Sequence, residues 1–212
     1  FYLYSAICAL ALTALLFVIG TSPWVLPGAA AVGFFGLPRW FNGGDSQTGN
    51  EIDLTITEQF EYTVRAAHRG DLDGWAETPQ GRLALIVLID QFSRNIYRGK
   101  PGAFVADDRG QKLALDGLRL GHDRQLTRPQ RVFFYLPLEH AENLSLQHMS
   151  VALFASLIDE SPASLRGKYA SFHDYAERHR RVIQTFGRFP HRNAALNRED
   201  TPEEIIYLAK PG

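Results

Sequence analysis

Apolar residues recur at three- and four-residue intervals along most of the chain, and no run alternates cleanly with a period of two. The first such pattern covers residues 53–69, where Ile56, Phe60 and Val64 share one stripe. A period near 3.6 residues is typical of helices that bury one face. The pattern therefore predicts an all-α domain over residues 51–212, packed as antiparallel helical pairs.

Capping residues indicate where the predicted helices begin and end. Thr78 precedes a proline and opens a strongly apolar helix, whereas Gly187 ends a long helix over residues 166–186. Thr201 and Glu204 have the spacing of a capping box, which predicts a last short helix. Further helices are expected at residues 103–120, 129–136 and 138–158.

The beginning of the chain differs from the rest, because its first 38 residues contain no Asp, Glu, Lys or Arg. As a helix, residues 1–20 are about 30 Å long, which matches the hydrocarbon core of a bilayer. Residues 21–50 are expected to form a connector at the membrane interface. The pattern predicts a single-pass membrane protein, and the alternatives are a cleavable signal ending near Ala29–Ala31 or a buried core helix.

Composition excludes several classes of partner and cofactor. The chain contains 22 Lys and Arg against 23 Asp and Glu, so the formal net charge is −1 and no basic field favours nucleic acid. One cysteine, Cys8, excludes an intramolecular disulfide and a thiolate metal cluster. Phosphate-loop, dinucleotide and nucleophile-elbow motifs are absent as well. We therefore expect no cofactor.

Three segments place polar side chains where the helical pattern calls for apolar ones. In the first, residues 88–99, Asp90 and Arg94 are four apart on one face, as are Gln91 and Asn95. One interpretation is an ion pair and an amide pair that close the end of a buried helix. The other interpretation is a ligand site.

The second segment, residues 135–148, contains Glu139, His140 and Glu142. A carboxylate beside an imidazole can orient a catalytic base or a metal ligand. The segment lacks the two histidines, four residues apart, that mark a zinc-binding helix. We therefore expect no metal, and a polar contact between helices is the simpler interpretation of His140.

The third segment, residues 186–193, is the densest in polar groups, since Arg188, His191, Arg192 and Asn193 project from a short loop behind a helix end. Two guanidinium groups beside an imidazole can bind a carboxylate or a phosphate. They can equally neutralise Asp or Glu residues of the other two segments, because buried charges must be paired.

Four stretches of the chain carry a resemblance to a known family: LALIVLIDQFSRNIYRGKPGAF, FFYLPLEHAENLSLQ, YAERHRRVIQTFGRFPHRN and TPEEIIYLAKPG. Together they resemble the domain-of-unknown-function 924 family over nearly all of residues 34–212. The resemblance implies a tetratricopeptide-like arrangement of helix pairs and no assigned reaction. The chain departs from the family at Ser93, where proline is usual, and at Asn197, where glycine is usual. The polar positions that match are Asp90, Gln91, Arg94, Asn95, Arg98, Glu139, His140, Glu142, His179, Arg188, His191, Arg192 and Asn193.

Two functions of different classes follow from these observations. The first is a scaffold or accessory subunit of a larger membrane protein complex, respiratory or photosynthetic, with residues 1–20 in the lipid bilayer and no catalysis. The second is a membrane-tethered enzyme or small-anion-binding protein. The lack of a catalytic fingerprint favours the subunit. The ligand-binding candidates of the second function are Asp90, Gln91, Arg94, Asn95, Glu139, His140, Glu142, Arg188, His191, Arg192 and Asn193.

Overall fold

The structure is a computed structural model that describes residues 46–210, with side chains from residue 53 onward. Helix α2 joins an α-helical segment, a π-helical segment and a final α-helical turn: Pro79–Ile86, Val87–Phe92 and Ser93–Ile96. The other helices are α1 (Ser46–Arg69), α3 (Asp107–Arg119), α4 (Arg128–Glu139), α5 (Leu144–Asp159), α6 (Ala163–Phe186) and α7 (Pro202–Leu208). No β-strand occurs within residues 46–210. The predicted all-α class is therefore confirmed for this part of the chain.

The single-pass membrane localisation predicted from the sequence is contradicted. Across residues 46–210, no helix is both long enough and apolar enough to cross a bilayer. The long helix α6, for example, places Asp174, Arg178 and Arg181 in solvent. The predicted span at residues 1–20 and the connector as far as residue 45 lie outside the described residues.

The capping residues act as the sequence predicts. Thr78 Oγ1 accepts a hydrogen bond from the Gly81 N–H at 3.1 Å, and Thr201 and Glu204 bond to each other's backbone N–H. Gly187 ends α6 with φ of 71°, a left-handed conformation that glycine adopts at little cost. These contacts satisfy backbone groups that helix ends leave free.

The boundary between α4 and α5 differs from the prediction, which placed a break at Pro137. Pro137 lies inside α4, and the helix ends two residues later at Glu139. The Asn143 side chain caps α5 by accepting from the N–H groups of Ser145 and Leu146. Gln147 Nε2 donates to the Glu139 carbonyl at 2.5 Å, which fixes the turn between the two helices.

The core forms around α2, whose residues 81–90 are all buried. Helix α1 packs on α2, with the rings of Phe60 and Phe92 4.9 Å apart. On the other side α4 packs on α5 through an edge-to-face contact between Tyr135 and Phe154. Because α4 also contacts α2, the polar residues near the C-terminal ends of these two helices come together.

A π-helical segment, Val87–Phe92, interrupts α2 at Asp90. Ser93 Oγ bonds to the Leu88 carbonyl at 3.2 Å and lies 2.8 Å from His68 Nε2, so the turn is supported from two sides. A π turn changes which way the following side chains point, and such turns are frequent at functional sites. Here it directs Asp90 toward the end of α4.

Candidate functional site

Asp90 and His140 are in direct contact at the centre of the site. The His140 Nδ1 atom lies 2.8 Å from Asp90 Oδ1 and 2.9 Å from Oδ2. A carboxylate in this position accepts the Nδ1 proton and fixes the tautomer, which leaves Nε2 as the free nitrogen. The ring is thereby oriented by a residue 50 positions away in sequence.

Asp90 is held as an anion by its neighbours. Burial alone would raise its pKa, but Arg94 and His140 together hold the pKa of Asp90 well below the usual range. Arg94 Nη1 is 3.1 Å from Oδ1, as the four-residue spacing predicts. The expected amide pair does not form, because Gln91 donates to Asp90 Oδ2 at 2.6 Å and Asn95 donates to Asp53.

Glu139 has no such support. Its side chain is 3% exposed, and in the described residues it pairs with no arginine or lysine. Oε1 lies 3.2 Å from Nδ1 of His179. Burial raises the pKa of Glu139 to about 8, and repulsion from Asp90 contributes to the shift. Asp90 and Glu139 thus differ sharply in their affinity for a proton. Together with His140 and His179 they form what we call the cluster.

His179 brings a second imidazole to the cluster from the middle of α6. Its Nδ1 is 3.0 Å from the Tyr175 carbonyl, and its ring centroid is 6.0 Å from that of His140. Burial lowers the pKa of both histidines, so both rings are neutral bases near pH 7. One potential metal-ligand atom from each of Glu139, His140 and His179 lies within 4.8 Å of the other two.

Arg192 connects the third polar segment to this cluster. Its guanidinium group lies between the rings of Phe104 and Phe189, at 4.7 and 4.5 Å from their centroids. Nη1 donates to Asp107 at 3.1 Å and Nη2 to the His140 carbonyl at 2.9 Å. Asp107 also accepts from Arg94, although burial raises the pKa of Asp107. Two carboxylates, on Asp90 and Asp107, therefore face two guanidinium groups.

A cleft of about 580 Å³ lies beside Arg192 and Asp107, and its lining does not include Glu139, His140 or His179. It is lined by Phe104, Asp107, Glu142 and Arg192, among others. This volume falls in the range of small-molecule sites, roughly 300–1,000 Å³. Within residues 53–210, Arg192 Nε and Asp107 Oδ1 have no hydrogen-bond partner, and both atoms are closed off from solvent, so they face the interior of the protein.

The remaining sequence candidates lie around the cluster and have other partners. Arg188 forms a bidentate pair with Glu204 at 2.7 Å, and Asn193 donates to Asp200. Glu142 accepts from Arg198 at 2.6 Å. The arginines of the third segment are therefore paired internally, as one interpretation predicted, but with different carboxylates from those expected.

His191 lies at the edge of the cluster and is exposed. Its ring centroid is 5.5 Å from that of Phe189, which in turn contacts His179 at 5.5 Å. Partial desolvation of the ring and the charge of Arg192 lower the pKa of His191. The open side of the two central imidazoles is thus bordered by aromatic rings and a third neutral histidine.

Four residues with clear roles were missing from the sequence-derived candidates: His179, Asp107, Arg198 and Glu204. His179 is among the family-matched positions, and its place on the apolar stripe of α6 was the available signal. Asp107 looks like an ordinary acidic residue in the first turn of a helix. Arg198 follows Asn197, whose φ of 53° explains why glycine is usual at that position.

Comparisons with known proteins agree with the fold and give no reaction. No curated protein matches the chain. A solved structure of a protein of unknown function, ATU0120 from Agrobacterium tumefaciens, is 34% identical and superposes with a TM-score of 0.72, covering 96% of this chain and 98% of that one. The family described as "Bacterial protein of unknown function (DUF924)" matches residues 36–212. The chain therefore belongs to the DUF924 family.

Proposed function

We propose that the chain is an enzyme that acts on a small polar molecule, with His140 as its reactive group. The observation that carries the proposal is the Asp90–His140 contact, in which a buried carboxylate fixes one ring nitrogen and leaves the other free. An imidazole oriented by a carboxylate is the recurring arrangement of a general base. The His140 side chain keeps 17% of its surface exposed, so a substrate can reach it.

Neighbouring groups support acid–base chemistry rather than simple anion binding. Glu139 and His179 lie beside His140. The cleft at Arg192, which Arg192 and Asp107 connect to this group, is also lined by carboxylates. Arg188 and Arg192 already use their guanidinium groups on Glu204 and Asp107. A hydrolase for a neutral or cationic substrate fits this charge pattern better than a binder of phosphate.

A panel of chromogenic esters, phosphoesters and amides tests the proposal. The wild-type protein is expected to hydrolyse the esters or the amides and not the anionic phosphoesters, and His140→Gln is expected to lose about 100-fold in kcat/KM, the usual contribution of a general base. His148→Gln is the matched control, because His148 is exposed on α5 and outside the cluster. Equal turnover by wild type and His140→Gln, or no turnover of any class, contradicts the proposal.

A second candidate is an accessory subunit that binds a protein partner, which a tetratricopeptide-like stacking of antiparallel helix pairs suits. The supporting observation is α7, where Ile205 and Ile206 are 57% and 63% exposed beside Tyr207 and Leu208. Ile206→Asp should then release a partner that co-purifies from the native source, with the melting temperature unchanged. A chain that purifies alone contradicts this function.

A further inference from the structure

We infer that Glu139, His140 and His179 bind one divalent transition-metal ion, for which zinc has the best-matched coordination chemistry. The inference rests on the proposed function for its role, since the ion would lie within the same reactive centre. Its test needs no substrate. The sequence argued against a metal because α4 has no pair of histidines at the zinc-helix spacing, but here the second histidine comes from α6.

The ligand atoms have nearly the required separation. One potential ligand atom from each of Glu139, His140 and His179 lies within 4.8 Å of the other two. His179 Nδ1 donates its proton to the Tyr175 carbonyl at 3.0 Å, so Nε2 is the nitrogen that would bind the ion. Two ligands of a tetrahedral zinc ion at 2.0–2.1 Å lie about 3.4 Å apart. Small side-chain rotations therefore suffice to close the site. Two histidines and one glutamate form a ligand set found in catalytic zinc sites.

Asp90 provides the outer support that such sites use. Metal-binding histidines commonly donate their second ring N–H to a carboxylate or a carbonyl, which fixes the ring and strengthens the ligand. His140 Nδ1 is already occupied by Asp90 at 2.8 Å, so Nε2 is the nitrogen that faces the ion. With an ion on Nε2, Asp90 and His140 would form the carboxylate–histidine–metal arrangement that such sites use.

The charges of the cluster also call for a cation next to Glu139. Asp90 and Asp107 are balanced by Arg94 and Arg192. Glu139, by contrast, pairs with no arginine or lysine in the part of the chain that the structure describes. Ionising this buried group without a counter-ion is costly, and a metal ion bound to the carboxylate offsets that cost.

The side chains of the site are accessible to an ion from solvent. The side chains of His140 and His179 are 17% and 24% exposed, whereas Glu139 at the bottom is 3% exposed. An ion can therefore enter past the imidazoles and meet the carboxylate last. A fourth position on the ion would face the solvent side, as in zinc sites that keep one ligand exchangeable.

Calorimetric titration of the chelator-treated full chain with Zn²⁺ tests the inference. We expect one saturable site, and His179→Ala should weaken zinc binding by at least about tenfold. His173→Ala, on the same helix, is the matched control and should leave the affinity unchanged. Glu139→Gln offers a second variant that keeps the shape of the side chain, and it too should weaken binding.

Two results overturn the inference: zinc affinity that is equal in wild type and His179→Ala, or no saturable binding at all. The proposed function fails separately. If the protein binds zinc at this site but hydrolyses none of the panel, the metal site is supported and the proposed enzymatic function is rejected. If the chelator-treated protein binds no zinc but its turnover still depends on His140, the enzymatic function is supported and the metal site is rejected.

Discussion

Both carboxylate oxygens of Asp90 lie within 2.9 Å of a single nitrogen of His140. The contact joins the π-helical segment of α2 to the C-terminal end of α4. Arg94 holds the same carboxylate from one turn further along α2. The Asp90 carboxylate therefore joins Arg94, on its own helix, to His140, which lies 50 residues away in the sequence.

Asp90→Ala should lower the free energy of unfolding by about 3 kcal/mol, because buried His140 loses its hydrogen-bond partner and Arg94 keeps only Asp107. Urea unfolding at neutral pH measures the change. Asp174→Ala is the control, since Asp174 pairs with Arg178 on the surface, where both side chains are at least half exposed. The control should cost less than about 1 kcal/mol. Equal costs would mean that the Asp90 pair is no stronger than a surface ion pair.

Glu139→Gln should raise the melting temperature of the chelator-treated protein. The carboxyl group is buried with no arginine or lysine beside it in the described residues, and its pKa of about 8 means that it must take up a proton on folding at neutral pH, whereas an amide needs none. Differential scanning calorimetry measures the shift. Excess zinc should reverse the order, because the ion stabilises the wild-type carboxylate. A variant that melts lower than wild type without metal would show that Glu139 is retained for stability.

Lowering the pH should remove the contribution of Glu204 to the free energy of unfolding, within a defined pH range. Hydrogen bonds from Arg188 and the Thr201 N–H lower the pKa of Glu204 to about 2 in the folded state, from its ordinary value of about 4.5 in the unfolded chain. The folded state therefore binds fewer protons than the unfolded state, and the stabilisation is full above pH 4.5 and lost toward pH 2.

Urea unfolding of Glu204→Gln at a series of pH values measures this effect. The difference from wild type should be largest near neutral pH and shrink as the pH falls through that range. Glu203→Gln is the matched control, because Glu203 is the exposed neighbour on α7. A gap between wild type and Glu204→Gln that is independent of pH would exclude an electrostatic origin.

Gly187→Ala and Gly167→Ala should change stability in opposite directions, although both concern α6. Gly187 has φ of 71°, so a Cβ there costs about 1 kcal/mol. Gly167 has ordinary helical φ and open space around it, so alanine should gain roughly 0.5–1 kcal/mol. Thermal unfolding of the two variants tests whether the left-handed conformation of Gly187 is required where α6 ends. A neutral Gly187→Ala would mean that the left-handed turn is not fixed.

Local signals in the sequence were enough to place most helix ends. Thr78, Thr201 and Gly187 act through atoms within four residues of themselves, so the sequence alone reveals them. Pro137 was misleading because it removes one backbone hydrogen bond but does not end α4, which continues to Glu139. The signal that mattered was Asn143, the residue that caps the next helix.

The partners within the site could be predicted only in part. The three polar segments meet, because each lies at a helix end on the same side of the core. The choice of partner depends on how helices cross, and no spacing reveals that Arg192 pairs with Asp107 or Arg188 with Glu204. The π turn adds a second obstacle, because no residue type in the sequence predicts it and it changes the direction of the Asp90 side chain.

Anomalous diffraction at the zinc edge, from crystals of the full chain soaked with Zn²⁺, tests the central claim most directly. The account predicts one strong peak about 2.0–2.2 Å from Glu139, His140 and His179. It also predicts that the Asp90 contact to His140 persists in the zinc-bound crystal. Zinc bound only at surface histidines such as His148, with the three side chains unchanged, would contradict the claim that this cluster binds a metal ion.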